Sequence, residues 1–476
     1  RCTVDDRVEP LEVRSDRGHQ RAACGLVGQI GLEGMGLRAE RLKFGDRCMR
    51  LGGRAAVVHG HVETVRGQIE RHRAAEPAGG AGDEHDRACG SGHVFYNAAM
   101  QMNRPTSVSA ALAKLIHRSI ARDGGWLPFD RFMAMALYAP GLGYYANHGR
   151  KFGLLPQSGS DFVTAPELSP LFGRALARQV GQALRASETR EVWEFGAGSG
   201  ALAHQLLDAL VGLGQAVERY TIVDLSGTLR ERQRERLAPF GAKVQWVDAL
   251  PESMQGVIVG NEVLDAMPVQ LLRFDGAQWL ERGVVAQGEG FGWADRPSVL
   301  KPPFDGASED RSKSAFAPGT VTEIHPQAEA FITTLAERLT RGAAFFIDYG
   351  FPEAEYYHPQ REGGTLMCHR AHLADTDPLV EVGAKDITAH VDFTGIALAA
   401  QNAGLEVIGY TTQAHFLINC GVMELLQGAD IETTANAQKL LTEHEMGELF
   451  KVIGFAKGAF DGTPLGFTNG DRTHTL

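Results

Sequence analysis

The sequence predicts a Rossmann-like α/β fold, in which a parallel sheet carries helices on both faces. The first observation is an apolar run at residues 191–195, which a glycine-rich turn separates from helical periodicity at residues 201–210. The second is that strand-like runs return at residues 220–224, 243–247 and 256–260. Strands separated by helix-length connections favour a parallel sheet whose binding site lies at the carboxyl ends of the strands.

After the fourth strand this alternation loosens, which indicates an inserted region at about residues 268–326. Strand-like runs at residues 269–274 and 321–324 flank a polar stretch containing Gly and Pro at residues 295–319. We expect that stretch to be an insertion or a lid. Residues 343–348 then return as a core strand.

Residues 1–101 differ from the rest in composition, and we expect them to be a non-functional or disordered extension outside the functional fold. In the first hundred residues Lys43 is the only lysine against fourteen arginines, and no sustained periodicity is present. A regular amphipathic pattern begins only after Met102. Acidic residues such as Asp5 and Asp6 disfavour an ordinary organellar transit peptide.

Composition limits the class of protein. The 476 residues are 43% hydrophobic and 22% charged, which fits one large catalytic unit or two to three globular domains. No apolar run reaches the roughly 18 residues needed to cross a bilayer, so membrane insertion is not expected. A net charge of −11 disfavours a nucleic-acid partner. Only Cys368 and Cys420 occur after residue 100, which favours a reducing cytoplasm.

The glycine-rich turn after the first strand places Gly196, Gly198 and Gly200 at alternate positions. Glycines at a strand-to-helix turn let the backbone approach a ligand and leave the first N–H groups of the helix for it. The turn therefore predicts a nucleotide-like ligand. Because Gly196, Gly198 and Ala201 also fit the dinucleotide pattern, an NAD(P)-dependent oxidoreductase remains an alternative, as does a turn without ligand.

Acidic residues follow the next two strands. Asp224 lies where a carboxylate can accept hydrogen bonds from both hydroxyls of an adenosine ribose, although capping of the following helix would also explain it. Asp248 and Ala249 follow the third strand, where a carboxylate and a backbone amide could read the adenine edge or form a plain turn. These positions are candidates for cofactor binding.

A polar loop after the fourth strand contains Asn261, Glu262 and Asp265. In a sheet of this type the loop faces the reacting end of the cofactor. A short helix would place the carboxylates of Glu262 and Asp265 on one face, where they could grip a planar cation by paired hydrogen bonds. A helix cap with solvated acids is the alternative.

Other candidate residues have simpler explanations. Cys368, His369 and His372 are close together, but the sequence offers no matching ligand pair at zinc-site spacing, so no metal is predicted. His325 is interpreted as a structural histidine at a strand end. His390 and Asp392 could line a substrate cleft, or they could be packing residues.

Several motifs together resemble the MidA family of class I S-adenosylmethionine-dependent methyltransferases, which includes the mitochondrial complex I assembly-factor arginine methyltransferase. The resemblance runs from about Ser107 to about Leu426, in the same order as in the family. Ala197 and Ser199 stand where relatives often carry proline and arginine, which leaves the backbone requirement of the turn intact. Besides the glycine turn, the motifs are Tyr144-Tyr145, Gly159-Ser160-Asp161-Phe162-Val163-Thr164-Ala165-Pro166-Glu167, Phe172-Gly173, Asn261-Glu262-Val263-Leu264-Asp265-Ala266-Met267-Pro268-Val269, Asp348-Tyr349-Gly350 and Asp386-Ile387-Thr388-Ala389-His390-Val391-Asp392-Phe393.

The resemblance implies a class I methyltransferase sheet with an inserted lid region and added N- and C-terminal helical segments. It implies S-adenosyl-L-methionine as cofactor and a protein side chain as acceptor, which is arginine in the mitochondrial relative. We expect three parts after the N-terminal extension: a helical, cofactor-covering segment at residues 102–190, a catalytic domain at residues 191–415, and a helical segment with a tail at residues 416–476.

Their position in the loop after the fourth strand suggests that Glu262 and Asp265 are catalytic, because methyl transfer from a sulfonium depends on positioning and electrostatics. They would orient the guanidinium and receive its proton. Residues 161–167 would close over the cofactor. The residues expected to bind the cofactor are Glu194, Gly196, Gly198, Gly200, Asp224, Leu225, Asp248, Ala249, Asn261 and Thr164.

The expected partner is a protein substrate, such as a subunit of a respiratory complex, and a homodimer is also expected. The expected location is the cytoplasm, whereas the eukaryotic relatives are mitochondrial. A non-catalytic assembly factor that binds its partner through a degenerate cofactor pocket remains an alternative. The intact glycines and Asp224 disfavour a degenerate cofactor pocket.

Overall fold

The computed structural model describes residues 107–147, 164–224, 227–303, 316–458, 460 and 462–476. The expectation for residues 1–101 therefore lies outside the described residues. None of the helices in the described ranges has the length and hydrophobicity of a membrane span.

The helices, in chain order, are α1 (Ser107–Arg122), α2 (Phe129–Tyr138), α3 (Ala165–Leu168), α4 (Pro170–Ala186), α5 (Ala201–Gly212), α6 (Gly227–Leu237), α7 (Pro326–Arg338), α8 (Glu353–Tyr356), α9 (Phe393–Asn402), α10 (Gln413–Asn419), α11 (Val422–Leu425), α12 (Ile431–Leu441) and α13 (Met446–Leu449). The strands are β1 (Leu127–Pro128), β2 (Glu191–Phe195), β3 (Arg219–Val223), β4 (Val244–Val247), β5 (Met254–Asn261), β6 (Gln270–Phe274), β7 (Trp279–Gln287), β8 (Gly290–Pro297), β9 (Val321–Ile324), β10 (Leu339–Phe351), β11 (Met367–Arg370), β12 (Leu373–Asp375), β13 (Asp386–Thr388), β14 (Val391–Asp392), β15 (Glu406–Thr412) and β16 (Phe450–Lys457).

The largest sheet has the strand order β15-β16-β10-β5-β2-β3-β4, and β14 pairs with β10. The strands from β10 to β4 are parallel, as the sequence predicts, whereas β16 runs antiparallel between β10 and β15. From β2 the chain continues to β3 and β4 on one side, and it returns with β5 and β10 on the other. β2 and β5 therefore flank the switch point at which open α/β sheets bind their ligands.

Two hydrophobic cores lie on opposite faces of this sheet. In β5, Val257 and Val259 pack on one face with α4 and α5, while Ile258 packs on the other face with α7 and α9. Successive side chains of a strand point to opposite faces, so a strand covered by helices on both sides is apolar throughout. The predicted arrangement of helices on both faces of a parallel sheet is confirmed.

The inserted region forms a small antiparallel sheet. The order is β1-β7-β6-β9, with β8 paired to β7, and β1 comes from the N-terminal segment. Residues 295–297, which belong to the expected polar stretch, form the end of β8. Residues 304–315 of that stretch lie outside the described residues. A third small sheet has the order β12-β11-β13.

The C-terminal segment contains helices and one strand that the sequence reasoning did not predict. α12 and α13 lie in residues 416–476, which the sequence predicts to be helical, but β16 lies there too. β16 joins the main sheet by pairing with β10 from Gly342↔Lys457 to Tyr349↔Phe450. A short apolar run buried on both faces cannot be separated from a helical segment by periodicity alone. The helical segment is present, and the tail that follows it contains a strand for which the sequence reasoning had no prediction.

Candidate active site

The glycine turn connects β2 to α5 through a backbone that only glycine adopts easily. Gly196, Gly198 and Gly200 have φ angles of 64°, 59° and 81°. A Cβ atom would strain each of these left-handed conformations. The alternate glycines in the sequence are thus required by the shape of the turn. Gly200 is the N-cap residue of α5, so the turn leads directly into a helix N-terminus.

A pocket lies against this turn at the switch point between β2 and β5. Four of the predicted cofactor-binding residues line it on the side of the glycine turn, namely Thr164, Glu194, Gly196 and Gly198. Two residues from the loop after β5 join them on the other side. The complete lining is Thr164, Pro166, Glu167, Glu194, Gly196, Ala197, Gly198, Ser199, Ala201, Leu202, Asn261 and Glu262.

Glu194 places a buried carboxyl group in the pocket wall. Its exposed fraction is 2%, and the Tyr220 hydroxyl donates a hydrogen bond of 2.6 Å to its Oε2 atom. Burial raises the pKa of Glu194 to about 8, and the Tyr220 hydrogen bond opposes this shift. Such a carboxyl group favours a cationic partner, because a positive charge would recover the solvation that the ionised form loses on burial.

The short helix α3 covers one side of the pocket and is tied to the glycine turn. The Ser199 hydroxyl donates to Glu167, and Arg236 on α6 pairs with Glu167 at 3.1 Å. Gln205 Nε2 donates to the Pro166 carbonyl at 2.7 Å. The described part of the segment expected to cover the cofactor therefore contacts the turn, and residues 161–163 lie outside the described residues.

The ends of β3 and β4 lie beside the turn and outside the pocket lining. Asp224 is buried at the end of β3, whereas the Asp248 side chain is largely exposed and pairs with Arg230. Arg230 also donates to the carbonyl oxygens of Asp224, at 2.9 Å from Nε, and Val247, at 3.2 Å. Ala249 follows in the same loop. Leu225 lies outside the described residues.

The loop after β5 is a tight turn rather than the short helix expected from the spacing of its carboxylates. Glu262 is 1% exposed and has a φ of 57°, a left-handed conformation that few residues other than glycine adopt. The Asp348 carboxylate imposes this turn, because its Oδ2 atom accepts from the backbone N–H groups of Val263, Leu264 and Asp265 at 3.1, 2.9 and 3.3 Å. The expectation that Glu262 and Asp265 share a helix face is wrong.

Nevertheless, the turn brings several carboxyl groups together below the pocket. The Tyr349 hydroxyl donates to Asp265 Oδ2 at 2.6 Å, and the Tyr145 hydroxyl donates to Asp386 Oδ1 at 2.6 Å. We call Glu262, Asp265, Asp348 and Asp386 the carboxylate cluster. All four residues are buried, and the charges of the other three each raise the pKa of Asp265.

Two members of the carboxylate cluster, Asp265 and Asp348, differ in how readily they ionise. Burial raises the pKa of both Asp265 and Asp348. Asp348 accepts hydrogen bonds from four backbone N–H groups, the fourth from Tyr349, and these favour its ionised form. Asp348 therefore ionises first, and its charge then holds the pKa of Asp265 higher still.

Asn261 Oδ1 and Asp265 Oδ1 are both buried without a hydrogen-bond partner among the described residues. Asn261 uses its amide nitrogen to donate to Glu262 Oε1 at 2.7 Å, which leaves its oxygen as an acceptor. Buried acceptors without partners are costly, so a ligand that donates hydrogen bonds to these atoms would be stabilised here.

Sequence reasoning missed several residues of this arrangement. Asp348, Tyr349, Tyr145 and Asp386 belong to motifs quoted for the family resemblance, and that membership was the signal that could have placed them at the site. Nothing local links them, since they come from β10, from the loop after α2 and from β13. Arg230 and Gln233 lie on an Arg- and Glu-rich helix and gave no signal.

The remaining candidate residues make packing, capping and hydrogen-bond contacts. His325 is buried at the junction of β9 and α7, 3.0 Å from the Tyr356 hydroxyl, as predicted. Asp392 caps α9 by accepting from the N–H groups of Thr394 and Gly395. His390 stacks on Phe351 at 5.2 Å between ring centroids. Among the described residues, no group of three or more His, Cys, Asp or Glu side chains is arranged to hold a metal ion.

The sheet order, with a single antiparallel strand inserted beside a parallel set, and the glycine-lined pocket at its switch point define a Rossmann-like enzyme of the methyltransferase class. Residues 173–411 match the family model described as "Putative S-adenosyl-L-methionine-dependent methyltransferase". The chain belongs to this family, as the resemblance to the MidA family predicts. It is a methyltransferase that uses S-adenosyl-L-methionine.

Similar known proteins agree with this assignment. A Burkholderia thailandensis protein solved with S-adenosyl-homocysteine bound is 51% identical, with a TM-score of 0.73, covering 78% of this chain and 97% of that one. The Drosophila melanogaster protein named protein arginine methyltransferase NDUFAF7 homolog, mitochondrial, is 27% identical over 406 residues, covering 75% of this chain and 87% of its own length. The human protein arginine methyltransferase NDUFAF7, mitochondrial, is 26% identical over 384 residues, covering 69% and 80%.

The residues of the pocket fit the methyl donor. Three glycines with positive φ keep side chains away from the turn, Glu194 offers a buried carboxyl group, and Asn261 offers a buried acceptor without a partner among the described residues. The family gives no support to the NAD(P)-dependent alternative.

Proposed function

We propose that the protein transfers a methyl group to the guanidinium of an arginine side chain in a protein substrate. The observation that carries this proposal is the carboxylate cluster, which adjoins the donor pocket and is connected to it through Glu262. Among the described residues, no Lys or Arg forms an ion pair with Asp265 or Asp348. Buried carboxylates without a cationic partner favour a cationic ligand.

The donor is proposed to be held by residues from each strand end of the switch-point region. S-adenosyl-L-methionine, when bound, supplies a methyl group on a sulfonium centre. Glu194 would bind a cationic part of the donor, and Asp224 with Leu225 would bind its ribose. Asp248 and Ala249 would read the adenine. The other proposed contacts are Thr164, Gly196, Gly198, Gly200 and Asn261.

Glu262 and Asp265 are proposed to orient the acceptor and to remove its proton. A guanidinium presents a planar set of N–H donors, which two carboxylates can hold by paired hydrogen bonds. A guanidinium nitrogen that forms a bond to the methyl group must lose a proton. Asp265 is suited to accept that proton. Its raised pKa makes it a stronger base than an ordinary carboxylate, and its Oδ1 atom is available to receive the proton.

The relatives support a protein acceptor, since the Drosophila and human proteins are named protein arginine methyltransferases. A respiratory complex subunit as the substrate follows from the family resemblance and is part of the proposal. Those relatives are also named mitochondrial. For this chain we propose action in the cytoplasm and a homodimeric state, the latter measurable by light scattering of the purified protein.

Methylarginine analysis tests the acceptor. The full chain is incubated with methyl-labelled S-adenosyl-L-methionine and a cell extract lacking the enzyme, and labelled peptides are sequenced by mass spectrometry. We expect label on arginine, lost in Glu262→Gln and Asp265→Asn and retained in the control Glu289→Gln, whose side chain is exposed far from the pocket. Label on another side chain overturns the arginine acceptor. Normal binding of S-adenosyl-homocysteine without any transfer favours the non-catalytic assembly factor.

A further inference from the structure

A single buried glutamine on α6 joins the three strand ends that surround the donor site. Gln233 is 0% exposed. Its Nε2 atom donates to the Gly198 carbonyl at 2.9 Å and to Asp224 Oδ2 at 2.8 Å. Its Oε1 atom accepts from the Trp246 indole N–H at 2.8 Å. These partners belong to the turn after β2, the end of β3, and β4.

The chemistry of the partners fixes how the amide of Gln233 is oriented. An indole nitrogen only donates, whereas a carbonyl and an ionised carboxylate only accept. The amide oxygen must therefore face Trp246, and the amide nitrogen must face Gly198 and Asp224. One side chain that offers an acceptor on one side and two donors on the other satisfies all three neighbours.

No other common side chain of this size meets that requirement. Glutamate would place an oxygen against the Gly198 carbonyl and the Asp224 carboxylate, which are both acceptors. Leucine would leave the Trp246 donor and the Gly198 acceptor without partners in a buried place. The backbones of α6 and the glycine turn are also close, since a Cβ atom added to Gly200 would be in van der Waals contact with Gln233 Cα at 3.5 Å. α6 therefore packs closely on the start of α5.

We propose that Gln233 is a positioning residue that sets the affinity for the methyl donor by fixing the Asp224 carboxylate relative to the glycine turn. The donor contacts both structures, and it binds well only when their separation and orientation are set before it arrives. Trp246 acts one step further away, by fixing the orientation of the Gln233 amide. This inference rests on the proposed contact between Asp224 and the donor and does not depend on arginine as acceptor.

Calorimetric titration of the full chain with S-adenosyl-homocysteine tests the inference. At pH 8 we expect Gln233→Glu to raise Kd by about tenfold or more, which corresponds to about 1.4 kcal/mol. The defect should shrink toward pH 6, because a proton shared between the introduced carboxyl group and Asp224 restores a hydrogen bond. The matched control is Gln245→Glu, which adds the same charge at an exposed position of β4 and should leave Kd unchanged.

Two further variants separate positioning from damage to the fold. Trp246→Phe removes the indole donor together with one ring of the side chain, and it is expected to raise Kd a few fold with little change in thermal stability. Asp224→Ala is expected to weaken binding itself and to reduce the additional effect of Gln233→Glu, because coupled residues have non-additive effects in a double-mutant cycle.

Three outcomes would overturn the proposal. The first is a Kd for Gln233→Glu and Trp246→Phe equal to that of the wild type. The second is a pH-independent defect in folded Gln233→Glu protein. The third is additive effects of Asp224→Ala and Gln233→Glu. A failure of arginine methylation would change none of these measurements, because each uses only the demethylated donor.

Discussion

At the scale of single residues, the turn at Glu262 combines a strained backbone with a buried charge. A residue other than glycine in the left-handed region costs about 1 kcal/mol or more, and such conformations concentrate at functional sites. Glu188 has the same strain, with a φ of 51°, but its side chain is 85% exposed on the turn after α4. The same backbone strain therefore occurs at a buried residue of the proposed site and at an exposed residue outside it.

Replacing each glutamate with glycine separates the effect of the strain from that of the side chain. Glu188→Gly is expected to raise the free energy of unfolding by about 1 kcal/mol and to leave methyl transfer unchanged. Glu262→Gly relieves the same strain but also removes a buried side chain that accepts from Asn261, so we expect no gain in the free energy of unfolding. Because it also removes a proposed contact to the acceptor, we expect transfer to fall at least about a hundredfold. Urea denaturation and initial rates measure both effects. Normal transfer by Glu262→Gly would show that its carboxylate has no role in the reaction.

A second residue-scale prediction concerns the pH dependence of the rate. If ionised Asp265 accepts the proton, the rate must rise with pH through the pKa of Asp265, which burial and then the charge of Asp348 raise. Asp348→Asn removes that charge and so lowers the pKa of Asp265. We expect the acidic limb of the kcat/KM profile to move to lower pH, even if the maximal rate falls because the turn is capped less strongly. An unmoved limb would assign the proton to another group.

The residues that the sequence could predict are those whose local backbone requires them. Three alternate glycines after an apolar run predicted the turn, because their positive φ values are a local property. Asp348 and Gln233 could not be found in this way. Asp348 acts on the backbone of a loop 85 residues away, and that contact exists only once β5 and β10 lie side by side. The partners of Gln233 come together only once β2, β3 and β4 are neighbours in the sheet.

At the scale of elements, α3 is a cover tied to the donor pocket by few contacts. Its Glu167 meets Ser199 of the glycine turn and Arg236 of α6, while Gln205 of α5 holds the Pro166 carbonyl. The helix is four residues long and contributes only Ala165 and Pro166 as buried residues. An element with so little buried surface opens at low cost in free energy.

Weakening this tie should speed the release of the cofactor product. Arg236→Gln removes the cation that pairs with Glu167, and we expect the dissociation rate of S-adenosyl-homocysteine to rise a few fold, because most changes in affinity within one site appear in dissociation. Arg232→Gln on the same helix is the control and should leave the rate unchanged. Stopped-flow displacement measures both. Equal rates for Arg236→Gln and wild type would mean that α3 does not limit release.

Elements were predictable where their periodicity was unambiguous. β9 coincides with its predicted run at residues 321–324, and the glycine turn marks the end of β2 and the start of α5. β16 was not predictable from the sequence, because its apolar run is short and buried on both faces of the sheet. The loop after β5 was also mistaken, because three-residue spacing of carboxylates suits a helix and only Asp348 from β10 selects the turn.

At the scale of the whole molecule, buried ionisable groups determine how stability depends on pH. Burial raises the pKa of Glu194 to about 8, of Glu329 and Asp392 to about 7, and of Asp130 to about 6. Between their ordinary pKa values and these raised ones, the folded chain binds more protons than the unfolded chain. Stability therefore falls as pH rises across that interval.

Two buried basic groups have lowered pKa values, so their contributions to stability rise with pH. They limit the pH range in which the carboxyl groups determine the change in stability. Burial lowers the pKa of His325 to about 3, so the unfolded chain binds more protons below its ordinary pKa of 6.5, and stability from this group rises with pH up to that point. Burial likewise lowers the pKa of Lys451 to about 8, which makes its contribution rise with pH above 8. Of these groups, the carboxyl groups determine the change between pH 6.5 and pH 8. The free energy of unfolding is therefore expected to decrease as pH rises through this range.

Glu194 supplies a direct test of this expectation, because its pKa lies at the upper end of the interval. Glu194→Gln keeps an acceptor for the Tyr220 hydroxyl but removes the ionisation, so the decrease between pH 6.5 and pH 8 should become smaller by at most about 2 kcal/mol. Urea denaturation of the protein without cofactor at the two pH values measures the slope, with Glu289→Gln as the exposed control. An identical slope in Glu194→Gln and wild type would show that Glu194 ionises normally, and the proposed attraction of its buried carboxyl group for a cationic part of the donor would lose its physical basis.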